Sequence, residues 1–189
     1  MSVLIGSVLG IDTEFTTLAE AEHALLGLGS AVALPPDAMV CTHEVRDGVP
    51  HYAVSITLST PPNLDLVEAI RGQFPGCPVS LDGSAASAGV QQAIDEVERR
   101  HGGRAFAFPG SGELQGVLPI HAALERSALD RVTVLGGASA DPDDQLLTRD
   151  FVRPRWVNGE LVLAVLPAGP NTVAPFEVPN PTACCGGHG

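Results

Sequence analysis

The chain has 189 residues, 44% of them hydrophobic, with 22 acidic residues against 10 basic ones and a formal net charge of -12. That length and apolar content are enough to build the core of one large or two small domains, while the charge argues against nucleic acid, whose phosphate backbone calls for a concentrated basic surface. Every basic residue is an arginine, which removes Schiff-base chemistry on lysine, pyridoxal phosphate attachment and the lysine of a P-loop.

No apolar run reaches the roughly 18 to 20 residues of a membrane span. The first residues, MSVLIGSVLGIDTEF, lack the basic start and processing site of a secretory signal, so a cytoplasmic location is expected. The four cysteines are too sparse for a stapled small domain. In a reducing compartment, a clustered pair of thiols points to metal or redox chemistry before a structural bridge.

In chain order, SVLIGSVLGI reads as a strand, and TLAEAEHALLGLG as a helix opened by a capping box of Thr17 and Glu20 and closed at Gly29. MVCTHEVRDGVPHYAVSITL reads as a hairpin turning at Asp47-Gly48, a pair that tolerates positive φ. A two-residue turn there sets Tyr52 opposite His43 and pairs Glu44 with His51 on the other face. LDLVEAIRGQF follows as a short helix capped by Asn63.

From residue 78 the rhythm changes. PVSLDG, the helical SAGVQQAIDEVERRHGG, RAFAFPG, GVLPIHAALERSAL and RVTVLGG alternate strand and helix, which is a βαβαβ pattern over about 78 to 136. Pro119 is compatible with a first helical turn, so the second of these helices is expected to start near Val117 or Leu118. LLTRDFVRPRWVNGELVLAVL reads as an antiparallel hairpin turning at Asn158-Gly159, and VAPFEVP as a last short strand. The fold class expected is therefore α/β, with a mixed sheet, a βαβαβ core, an N-terminal α+β segment and a C-terminal antiparallel hairpin. The Pro-rich joints around Pro61, Pro62, Pro75 and Pro78 divide the chain into 1–76 and 77–181, as two units or one continuous domain, with 182–189 as a flexible tail.

GSGELQG has neither the glycine spacing of a dinucleotide fingerprint nor the ending of a P-loop, and no G-x-S-x-G elbow is present. The chemistry-bearing residues fall into three groups. The tail ACCGGHG is one: Cys184, Cys185 and His188 are soft and borderline ligands for zinc, iron or copper, and Gly186 and Gly187 let the chain fold back between them. Three ligands leave a tetrahedral site open, and Cys41 and His43, two apart on one strand face, are the expected source of more. A second group is the arginine stripe of RDFVRPRW, where Arg149, Arg153 and Arg155 share one parity and so one face of a strand, suited to a carboxylate or phosphate. The third comprises Asp82, Ser84 and Glu113 in the loops that follow the βαβαβ strands, where ligands bind in open α/β sheets. Two functions follow from different classes. One is a small acidic metalloprotein or metal-dependent enzyme using the tail. The other is a non-catalytic binding or assembly protein, with a small anionic ligand or a second subunit on the arginine hairpin.

Overall fold

In the computed structural model, residues 6–81, 87–136 and 139–179 are described. The fold is mixed α/β, with four α-helices and an 11-stranded sheet among the described residues, the sheet containing both parallel and antiparallel pairs. No helix among the described residues is long and apolar enough to cross a membrane.

The first half forms a sheet covered on both faces. Strand β1 (Ser7–Asp12) lies between β3 (His51–Leu58) and the edge strand β4 (Val79–Leu81), and β3 pairs with β2 (Met39–Val45). Alternation then decides what packs where. Leu9, Ile11, Val40, Val54 and Ile56 point to one side, into a cluster with Leu25 and Leu28 of α1 (Leu18–Ala31) and Ile70 of α2 (Leu64–Gln73). The other face meets α3 (Ala88–Glu98), which presents Val90, Ala93, Ile94 and Val97 at helical spacing. The Thr17/Glu20 capping box is present, and Asn63 accepts from the Leu66 N–H at 2.8 Å. Helix α1 runs two residues beyond Gly29, to Ala31, and ends at Val32, whose N–H donates to the Leu28 carbonyl from an extended backbone.

In the first hairpin the register differs by one residue from a two-residue turn: Val45 pairs with His51, Glu44 with Tyr52, and His43 with Ala53. Residues 46 to 50 form a longer loop instead. Pro50 has no N–H to give a ladder, and His51 is held to the loop by its own bond to the Val49 carbonyl at 2.7 Å.

The second half continues the same sheet through β5 (Arg104–Ala107), which pairs with β2 on one side and with β9 (Arg155–Val157) on the other. β9 and the long β10 (Glu160–Gly169) are antiparallel across Asn158-Gly159, both at positive φ as the tight turn requires. β10 also pairs with β7 (Arg131–Val134) in parallel and with β11 (Thr172–Pro175) antiparallel. β8 (Gln145–Leu147) joins β11 to β6 (Val117–Pro119). Residues 117–119 are thus a strand. The following helix, α4, is Ile120–Arg126, with Pro119 in the extended position just before it.

The three strands of the expected βαβαβ core, β4, β5 and β7, run in one sense through this chain of pairings, yet none is hydrogen bonded to another. β4 flanks β1, β5 stands between β2 and β9, and β7 lies along β10. The cause is the first hairpin, whose strand β2 takes the place beside β5 that a parallel neighbour would occupy. The second core gathers Trp156, Leu161, Leu163 and Val165 with Val132, Leu146 and Ile120.

Candidate functional site

Two cavities meet at Arg155. The first begins on β2. His43 faces α3, where its Nδ1 lies 2.7 Å from Glu96 Oε2, and its Nε2 lies 2.8 Å from the Ser55 hydroxyl of β3. A carboxylate accepts only, so Nδ1–H donates to Glu96, while Nε2 is hydrogen bonded to a hydroxyl that can either donate or accept. Gln92, one turn earlier on α3, donates to Glu96 Oε1 at 2.8 Å and to the Glu44 carbonyl at 2.9 Å. Gly102 and Gly103 close over the pair. A Cβ on Gly103 would stand 2.6 Å from His43 Cε1, and one on Gly102 2.6 Å from Glu96 Oε2.

Hydroxyl, imidazole and carboxylate thus stand in the order used for nucleophilic catalysis, but the accessibility is inverted. Ser55 is 0% exposed and His43 1%, whereas Glu96 keeps 24% of its side chain open. No substrate atom reaches the serine oxygen. What the arrangement offers is a carboxylate with a fixed orientation at the wall of a polar cleft of about 490 Å³, lined also by Glu44, Tyr52, His101, Arg104 and Arg155. Burial works to raise the Glu96 pKa, but the bonds from His43 and Gln92 outweigh it and the net shift is downward. The carboxyl is therefore ionised at neutral pH.

A second histidine lies nearby. His51 Nε2 lies 2.7 Å from Asp12 Oδ1, and its Nδ1 faces the Val49 carbonyl. Both partners accept, so both ring nitrogens donate and the imidazolium is the favoured form; its pKa is raised, chiefly by the Val49 carbonyl and then by Asp12, against the effect of burial.

Arg104 lines the first cavity and shares its two carboxylates with the arginines of the second. Its side chain is 4% exposed; NH1 donates to Glu22 Oε1 at 2.7 Å and Nε to Glu177 Oε2 at 2.6 Å. Glu22, on α1, also receives Arg153 Nε at 2.9 Å, and Glu177, after β11, receives Arg155 NH2 at 3.2 Å. Burial raises the Glu22 pKa, and the two arginines more than reverse that. The Arg153 guanidinium is fixed further between two rings, 4.6 Å from the Phe106 centroid and 4.3 Å from that of Phe151.

The second cavity, about 440 Å³, opens on the outer face of β9, β10 and β7, with Arg131, Arg153 and Arg155 beside an apolar floor that includes Val162 and Ala164. Arg131 is paired with Glu160 at 2.9 Å. A smaller cavity of about 350 Å³ at Arg104, Arg155 and Glu177 links the two.

The residues singled out in the sequence are distributed as follows. Arg153 and Arg155 converge on the second cavity. Arg149 does not share their face: it and Asp150 have φ of 54° and 52°, a left-handed turn that interrupts the expected strand arm. That turn is held by Asp150 Oδ1, which accepts from the Gly116 N–H at 3.0 Å. Glu113 is exposed in a short turn, Ser111–Glu113, outside both cavities. Cys41 and His43 do share a face, but burial pushes the Cys41 thiol up to about 12, against Ser55 and Trp156, which act to lower it. His43 has both ring nitrogens engaged. Among the described residues no three of His, Cys, Asp and Glu gather in a metal-holding group. Cys184, Cys185, His188, Asp82 and Ser84 lie outside the described residues.

Sequence reasoning passed over Ser55, Glu96, Arg104, Arg131, Glu22 and Glu177. One signal was in plain view: His101-Gly102-Gly103-Arg104 places two glycines immediately before a strand, a mark of close backbone approach. Comparison with known proteins gives no matching family model, no matching curated protein and no matching solved structure.

Proposed function

We propose that the protein binds a small anionic molecule at the arginine hairpin, with Arg131, Arg153 and Arg155 as the recognising groups. One observation carries this reading. Four guanidiniums, those of Arg104, Arg131, Arg153 and Arg155, share three carboxylates, Glu22, Glu160 and Glu177, beside an open cavity, so within these ion pairs the arginines outnumber their carboxylates by one on a chain of net charge -12. Each guanidinium carries five donors, and Arg131 and Arg155 keep 42% and 54% of their side chains exposed. A monoanion balances the excess charge and meets donors already held in place. The four cysteines, two of them adjacent, fit a protein working in a reducing cytoplasm.

Calorimetric titration with monocarboxylates tests it. Saturable binding should weaken about tenfold or more in Arg155→Ala, and what remains should depend less on salt, since one charge fewer takes part. Unchanged affinity in Arg155→Ala and in Arg153→Ala refutes it.

A second reading concerns the tail. The sequence carries two adjacent thiols and an imidazole within five residues, soft and borderline ligands for a transition metal. In this reading Cys184, Cys185 and His188 hold zinc, iron or copper, as a metalloprotein or metal-dependent enzyme. Metal analysis of untagged protein decides it: stoichiometric metal that disappears when both terminal cysteines become serine supports the reading, and equal metal content sinks it.

A further inference from the structure

The pairing of β9, β10 and β7 places Arg155, Val162 and Arg131 in one row across three strands. Residues directly opposite in a ladder share a face. The two arginines therefore flank Val162 on either side, with Cα atoms roughly 10 Å apart at ordinary strand spacing. Along β10 the same face continues to Ala164, which pairs with Thr133; along β9 it continues to Val157. Pro175, the last residue of β11, and Phe176 after it reach the cavity, with the Phe176 N–H bonded to the Ala164 carbonyl at 2.9 Å. Val157 and Phe176 are 38% and 50% exposed, unusual for such side chains beside a cavity of this size. The other face of the same strands, with Trp156, Leu161 and Leu163, is buried in the core, so the row described here is the outward one.

The charged groups of this cavity are the three arginines and Glu177, and the rest of its lining is hydrocarbon but for Thr133. A bare inorganic anion would use the arginines and leave the floor wet. From this we infer that the ligand is an amphipathic monocarboxylate: its head lies between Arg155 and Arg131, and its apolar body covers Val162, Ala164, Val157 and Phe176. The inference rests on the anion reading above and names the class of molecule within it. The volume, about 440 Å³, is in the range of small-molecule sites. No bond is made or broken in this binding.

The test compares acetate, octanoate and 1-octanol by calorimetry on the full chain. Each methylene fully taken from water tightens binding about fourfold, so octanoate should bind about 100-fold or more tighter than acetate, even with part of its chain exposed. Octanol should bind at least about tenfold more weakly than octanoate. Val157→Ser, at an exposed position, should weaken octanoate several-fold more than it weakens acetate. Equal affinities for acetate and octanoate overturn the apolar part and leave the anion reading standing. Equal affinities for octanol and octanoate overturn the anion reading, and the inference with it. Absence of saturable binding by all three overturns both.

Discussion

Replacing Arg104 with methionine removes the one charge that links α1, β5 and the segment after β11. The guanidinium is 4% exposed and makes two charge-assisted bonds, at 2.7 Å to Glu22 and 2.6 Å to Glu177. Deleting one partner of a buried ion pair costs about 3 to 5 kcal/mol, because the other charge is left without compensation. Here each carboxylate keeps a second arginine, Glu22 at 2.9 Å from Arg153 and Glu177 at 3.2 Å from Arg155. The loss therefore belongs at the low end, about 3 kcal/mol, or roughly 6 to 12 °C in Tm for a chain of this length. Urea unfolding of wild type, Arg104→Met and Arg155→Met measures it. Arg155 is 54% exposed, so its replacement should cost about 1 kcal/mol or less. The same network predicts acid sensitivity. Glu22 has its folded pKa lowered, so its contribution is present above the ordinary value of 4.5 and is lost as pH falls through the lower folded value. Arg104→Met as stable as wild type, or no more costly than Arg155→Met, would refute this account of the network.

His51 has a raised folded pKa, so its contribution is present below its ordinary value of 6.5 and is lost as pH rises through the folded value; the stability gap between wild type and His51→Gln should shrink from pH 6 to pH 8.5, and a constant gap counts against the imidazolium. Gly103→Ala sets a Cβ at 2.6 Å from the His43 ring, which should cost about 1 to 3 kcal/mol by overpacking; a neutral effect in chemical denaturation would mean that ring and backbone part freely. Cys41, buried with its pKa at about 12, should react with an aromatic disulfide reagent at neutral pH only as fast as the protein unfolds, which thiol titration with and without denaturant checks against a Cys41→Ala variant.

Much of the fold was legible because local rules dominate where they are strong. The capping box at Thr17 and Glu20, the Asn63 cap and the Asn158-Gly159 turn each depend on residues within four positions, and each is present. The first hairpin departs from its simplest register at Pro50, which has no donor for a ladder, and the change by one residue sets His43 opposite Ala53 instead of Tyr52. Strand order was not legible. The alternation from residue 78 onward marks β4, β5 and β7, but it reads β6 as the start of a helix and says nothing of which neighbour each strand takes, and β2, from the first half, claims β5.

The arginine site shows the same division between parity and partnership. Counting by twos placed Arg149, Arg153 and Arg155 on one face, which holds only while the backbone stays extended, and two left-handed residues at 149 and 150 end it. The partners are further off: Glu22 lies 131 residues before Arg153, and Glu177 lies 73 after Arg104. No local pattern indicates that these carboxylates arrive, and a bare stripe of cations would have read as a far stronger anion trap than the nearly balanced cluster that forms. Yet that balance is what makes a selective site plausible in physical terms. Unpaired guanidiniums would attract any anion and repel one another, whereas guanidiniums already fixed by Glu22, Glu160 and Glu177 require no further ordering to receive a head group. In the proposed site, discrimination among anions would then fall to the apolar row beside them, which is why the contrast between acetate and octanoate tests the proposal more directly than the affinity of either alone.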